Sequence, residues 1–132
     1  MILLTPSQRA RLLANGRMPD ADHIPVVKFF NPFGQGTWLA TELNEDGDIL
    51  FGLADLGYPE LGSWSLSEMA AIRRPFGMGI ERDLHFEGRY PISVWAEAAR
   101  TEGSISAAER VLYARAQREG GAGCGRRGSG RP

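Results

Sequence analysis

Three short runs of β-branched and aromatic residues, set apart by turn residues, constrain this chain more than any other feature. Ile24-Pro25-Val26-Val27-Lys28-Phe29-Phe30 is followed by Asn31-Pro32-Phe33-Gly34 and then by Thr37-Trp38-Leu39-Ala40-Thr41-Glu42-Leu43. Asn44-Glu45-Asp46-Gly47-Asp48 separates that run from Ile49-Leu50-Phe51-Gly52-Leu53. Such residues fit a pleated, half-buried surface, and Asp46-Gly47 supplies the positive φ of a tight hairpin. A parallel crossover needs about a dozen residues or more, and these links are far shorter. The runs therefore predict an antiparallel meander, with a fourth strand over residues 61–64 and a fifth over the alternating stretch 80–86.

Helical signals flank the meander. Thr5, Pro6 and Gln8 combine an N-cap oxygen, a first-turn proline and a capping-box partner, and Asn15-Gly16 closes the segment, which predicts a helix over 6–15. Ser65 with Glu68 forms a second capping box, opening a helix through Met69, Ala71 and Ile72 that stops before Pro75. Pro91 opens an alanine-rich helix ended by Gly103, and Ser106 with Glu109 marks the start of a last helix reaching about Glu119. The expected fold class is α+β: an antiparallel sheet of four to five strands packed with three to four helices. At 132 residues the chain has the length of one domain. That domain is expected over 1–119. Residues 120–132, with six glycines, three arginines and no aliphatic side chain larger than alanine, read as a disordered Gly/Arg-rich tail.

Charge narrows the function classes. Fifteen Lys+Arg against sixteen Asp+Glu give −1, which argues against a wholesale nucleic-acid binder. Residues 1–119 hold twelve basic and sixteen acidic groups, a net −4. Between Lys28 and Arg73 there is no basic residue, while Glu42, Glu45, Asp46, Asp48, Asp55, Glu60 and Glu68 are acidic. An acidic stretch of this kind steers a basic partner. No apolar run approaches the roughly 18–20 residues of a membrane span. The opening MILLTPSQRARLL lacks a basic n-region and a long apolar core, so no secretory leader and a cytoplasmic location are expected. Cys124 alone supports neither an internal disulfide nor a multi-cysteine zinc site.

Few constellations carry chemistry. If residues 80–86 form a strand continuing to 87, Glu81, Asp83, His85 and Glu87 share one face. Such a row offers divalent-metal or acid–base chemistry, with Asp83 and His85 as the metal candidates, and is equally the wet face of a surface strand. Asn44, Asp46, Asp48 and Asp55 match four positions of a calcium loop but lack its glycine at position 6, so a hairpin explains them better. Asp20, Asp22 and His23 read as a solvated connection. Phe29, Phe30, Phe33 and Trp38 lack the basic neighbours of a base-stacking platform and read as core. No cofactor is expected.

The blocks Thr37-Trp38-Leu39, Phe51-Gly52-Leu53-Ala54-Asp55-Leu56-Gly57 and Pro59-Glu60-Leu61-Gly62, in that order, resemble the bacterial family called domain of unknown function 2958. Leu3-Leu4-Thr5, Leu13-Ala14-Asn15-Gly16 and Glu81-Arg82-Asp83-Leu84 fit the same pattern, so the resemblance covers about residues 1–110. It implies bacterial origin and residence on plasmids and other mobile elements, and supplies no catalytic residues. Asp55 and Glu60 stand out as polar members of the signature. The resulting expectation is a small non-enzymatic accessory protein of plasmid or phage origin. It would bind another protein, a nucleic-acid-binding enzyme for example, through Glu42, Glu45, Asp46, Asp48, Asp55 and Glu60, in the manner of an anti-restriction or anti-CRISPR inhibitor. The alternatives are a small metal-assisted hydrolase using the Glu81/Asp83/His85/Glu87 face, and a nucleic-acid-binding accessory protein using the arginine-rich C-terminal third.

Overall fold

A computed structural model describes residues 2–72 and 78–126, with side chains described only to residue 120 in the last helix. Thr5 starts α1 (Pro6–Gly16) as its spacing predicts: the Gln8 amide donates to Thr5 Oγ1 at 3.1 Å, and the Thr5 amide donates to Gln8 Oε1 at 3.0 Å. The meander follows as β1 (Val27–Phe30), β2 (Thr37–Leu43), β3 (Ile49–Asp55) and β4 (Pro59–Ser65). Then come α2 (Leu66–Ala71), β5 (Glu81–Arg82), α3 (Ile92–Glu102) and α4 (Ile105–Arg126). The sheet is antiparallel throughout, in the order β4-β3-β2-β1-β5.

Both faces of the sheet are covered, which is why β2 reads as a nearly continuous apolar run. Val27, Phe29, Trp38, Ala40, Leu43 and Leu50 face one side and pack with Leu3, Leu4, Leu12 and Met69. Leu39 and Leu53 face the other and pack with Trp95, Ala96, Ala99, Ile105, Ala108 and Leu112 of α3 and α4. The pairing of β2 with β3 slips between Ala40 and Glu42, leaving Thr41 as a bulge whose buried hydroxyl donates to Phe51 O at 3.1 Å. Gly52 sits beside that bulge, where a Cβ would lie 1.8 Å from Leu39 O. Only glycine allows the two backbones to approach so closely. At the hairpin tip Gly47 takes φ 76°, as a tight turn requires.

Several element boundaries differ from the sequence reading. Strand β1 begins at Val27 instead of residue 24, because Pro25 has no N–H to give the ladder. Strands β3 and β4 each extend two residues towards the other, because Asp55 turns the chain only after pairing with Pro59. The last helix is capped by Ser104, whose Oγ accepts from Ala107 N at 3.0 Å, not by Ser106. Its backbone stays helical to Arg126, seven residues into the segment read as a tail, and a Cβ at Gly120 would meet nothing within 4 Å among the described residues. Residues 127–132 and Pro75 lie outside the described residues. Among the described residues no helix is long and apolar enough to cross a membrane.

The largest correction concerns residues 80–87. The fifth strand is only Glu81–Arg82, paired with Phe30 and Phe29. The Asp83 amide still reaches Lys28 O at 2.9 Å, but Asp83 Oδ1 then accepts from His85 N at 2.9 Å. A short polar side chain that captures the amide two residues on makes an Asx turn and ends the strand. Glu81, Asp83, His85 and Glu87 therefore do not form one row.

Candidate functional site

Five of the six carboxylates of the acidic stretch separate into two groups at opposite ends of β3, and Glu42 lies within β2. Asp46 and Asp48 sit at the β2–β3 tip with Glu45, whereas Asp55 ends β3 and Glu60 pairs with Ala54 beside it. The seven-residue strand β3, which ends in Asp55, separates the two groups, roughly 20 Å at strand rise.

At the tip the carboxylates hold local structure. Asp46 Oδ1 accepts from the amides of Asp48 at 2.8 Å and Ile49 at 3.0 Å. Asp48 takes Ser65 Oγ at 2.7 Å on one oxygen and Ser67 N at 2.8 Å on the other, tying the hairpin tip to the start of α2. The Ser65 hydroxyl, then the Ser67 amide, hold the Asp48 carboxyl below its ordinary range. Glu45 pairs with Arg17 at 2.9 Å, both well exposed. Glu42 is half-buried on β2, and burial pushes its pKa up, with His23 opposing. The calcium-loop spacing has no geometric counterpart, since Asp55 is at the far end of β3 from Asp46 and Asp48.

At the other end three connections meet. Gly34, Gln35, Gly36 and Thr37 from the β1–β2 loop, Asp55 and Gly57 from the β3–β4 loop, and Gly103, Ser104 and Ser106 at the head of α4 line a hollow of about 290 Å³. The two loops touch: a Cβ on Gly57 would lie 3.4 Å from Gln35 Oε1. Asp55 organises the junction, accepting from Gly57 N at 3.1 Å and from Ile105 N at 3.0 Å, the first amide of α4. The positive end of α4 thus already holds a carboxylate. Phe33, Leu56 and Tyr58, flanking the lining residues in the chain, are 56%, 63% and 64% exposed. Glu60 is exposed and makes no ion pair among the described residues. The sequence reading marked Asp55 and Glu60 but missed the exposed apolar trio. The Phe33 aromatic run had pointed to core, and no periodic signal separates Leu56 and Tyr58 from core residues.

The β5 side holds a mixed-charge cluster that the sequence did not reveal. Lys28, the one lysine of the chain, extends from β1 beneath α4, 2.7 Å from Glu109 and 3.6 Å from Asp83, with 12% of its side chain exposed. Asp83 is thereby engaged by both a cation and an amide. Glu81, Asp83 and His85 do line one shallow hollow, together with Lys28 and Phe30. Glu87 lines a second hollow with His85, its backbone bonded to the Tyr113 hydroxyl and its side chain to Arg89. Burial pushes the Tyr113 pKa up to about 12. Among the described residues no three His, Cys, Asp or Glu side chains converge as a metal site. The Asp20–His23 loop is likewise structural: Asp22 accepts from the Ser93 amide and hydroxyl at the start of α3. His23 Nε2 lies 2.7 Å from Met18 O and so carries the proton.

The family model described as protein of unknown function DUF2958 matches residues 3–106, and the chain belongs to that family. The match spans the sheet, all three connections around the hollow and the head of α4. No curated protein and no solved structure matches the chain.

Proposed function

We propose that this chain is a protein-binding accessory module that engages its partner at the loop end of the sheet, around Phe33, Leu56 and Tyr58. One observation carries this reading: three large apolar side chains stand exposed on two touching loops, in a stretch of chain that has no cation. Contiguous exposed apolar surface with a polar rim is characteristic of protein interaction sites. Aromatic anchors such as Phe33 and Tyr58 supply most of the energy in such contacts. The exposed Glu60 beside them favours a partner with a basic rim, such as a nucleic-acid-binding enzyme, and speeds its approach. At the tip, Asp46 and Asp48 serve the hairpin and the α2 start and Glu45 is paired with Arg17, whereas Glu60 at the loop end has no ion pair among the described residues.

The test compares capture from a bacterial lysate by the wild-type chain, by Leu56→Ser/Tyr58→Ser, and by a Glu45→Gln/Asp46→Asn control, at low and high salt. The proposal expects basic proteins retained by wild type and control, weakened by salt and lost with the loop variant. The same captured set with all three chains would overturn it, as would capture indifferent to salt.

A further inference from the structure

We infer that the open edge of β4 is a self-pairing surface, and that two copies of this chain join there across a two-fold axis at Gly62 into one continuous ten-stranded sheet. The argument begins with hydrogen-bond parity. The Leu66 amide donates to Asp48 O at 2.8 Å, and this pair continues the β3–β4 register in which Gly62 faces Gly52 and Trp64 faces Leu50. Along an antiparallel pair the bonded residues alternate. Glu60, Gly62 and Trp64 therefore spend their main-chain groups on β3, and Leu61 and Ser63 direct theirs outward, where no strand follows.

Among the described residues little blunts this edge. Natural edge strands are protected by shortness, charged side chains (lysine above all), interior prolines, bulges or a covering element, and here Glu60 is the one charge. Strand β4 is seven residues long, pairs with β3 without a register shift, carries no lysine and has its one proline at its first position. Leu61 and Ser63 are exposed, so no helix closes over the edge. Gly62 points the same way. A mid-strand glycine costs stability, and here neither a bulge nor a neighbour requires it: a Cβ at Gly62 would meet nothing within 4 Å. A glycine with no internal cause, on an edge, suits the close approach of another backbone.

Self-complementarity selects the occupant. Laid antiparallel on itself about Gly62, the strand sets Leu61 against Ser63 of the partner subunit, and each such pair exchanges two main-chain bonds. Glu60, the one charged side chain of β4, then faces Trp64 of the partner subunit on the same side of the sheet, so no like charges are opposed. Among the described residues, the buried indole N–H of Trp64 has no acceptor. A two-fold contact of this kind closes on itself and yields a dimer instead of a filament.

Sedimentation velocity over a wide concentration range tests the inference on the full chain. The wild type is expected to move from the mass of one chain towards twice that mass. Ser63→Pro removes only an outward N–H and should leave a folded monomer by circular dichroism. Gly62→Lys, placed in open space within one chain, sets two like charges at the axis and should also be monomeric. Mixing it with Gly62→Glu should restore a heterodimer. A wild type that stays single at every concentration would overturn the inference, as would a dimer indifferent to both Gly62→Lys and Ser63→Pro. Failure of the Lys/Glu mixture to associate would overturn the register. None of these outcomes depends on the loop-end partner.

Discussion

At one edge of the sheet β5 offers two residues before Asp83 turns the chain away; at the other, β4 runs seven residues in unbroken register and stops only at the Ser65 cap. The short edge is anchored from within. Lys28, Asp83 and Glu109 tie β1, the end of β5 and α4 together in a partly buried ion-pair cluster. The long edge has no cation near it in the chain and presents outward main-chain groups at Leu61 and Ser63. One sheet thus has a closed side, finished by electrostatics, and a side that no strand among the described residues covers. Burial of mixed charge makes the first edge costly to disturb and leaves the second tolerant of substitution and available for contact.

That contrast orders the expected effects of mutation. The largest belongs to the closed side: Lys28→Ala leaves the partly buried Asp83 and Glu109 carboxylates without their cation and should cost about 1–3 kcal/mol in urea unfolding. A loss below about 1 kcal/mol would mean that the cluster is effectively solvated. Next comes Asp55→Ala, which frees the Ile105 and Gly57 amides where the open side meets α4. The loss expected from a missing helix cap is about 0.5–2 kcal/mol. Asp48→Asn should remove a pH dependence. The Asp48 pKa is depressed in the folded chain, so its stabilisation is full above the unfolded carboxyl value and is lost as pH falls through the lower folded value. Acid titrations of wild type and variant should therefore converge at low pH.

Tyr113 gives the alkaline counterpart on the closed side. Its folded pKa of about 12 lies above the unfolded value of 10.0, so stability is full below that unfolded value and declines as pH rises towards the folded one. Tyr113→Phe should flatten that decline. The smallest effect belongs to the open side: Ser63→Lys should change the stability of the single chain by no more than about 0.5 kcal/mol, as for other surface positions. A larger loss in dilute solution would show that the edge is covered.

Much of the fold is legible in the sequence, because local signals there agree with packing. Thr5-Pro6 with Gln8, the Asp46-Gly47 turn and the Gly103 stop each act within a few residues, and each is where its chemistry places it. Strand β2 was recovered at its full length because both its faces are buried. Residues 80–86 misled because alternation has two causes: a pleated strand, or a polar run whose Asp83 captures a nearby amide. Only tertiary contact with Lys28 and β1 decides between them. Ser106 with Glu109 carries the stronger local signal for the last helix start, yet the helix begins two residues earlier at Ser104, where Asp55, fifty residues away, accepts from Ile105 N.

The candidate site was less legible for the same reason. Asp55 and Glu60 were visible as polar members of the signature, but their separation from Asp46 and Asp48 depends on strand direction. Chain proximity made one acidic stretch out of residues that sit at two ends of a strand. Exposure of Phe33, Leu56 and Tyr58 carries no sequence mark at all.

Amide hydrogen exchange across β4, followed at rising protein concentration, tests the open edge most directly. The account predicts that Gly62 and Trp64, bonded inward to β3, exchange slowly throughout, and that Leu61 and Ser63 pass from fast to slow as copies associate. Fast exchange at Leu61 and Ser63 at every concentration, or slow exchange in the most dilute sample, would contradict it.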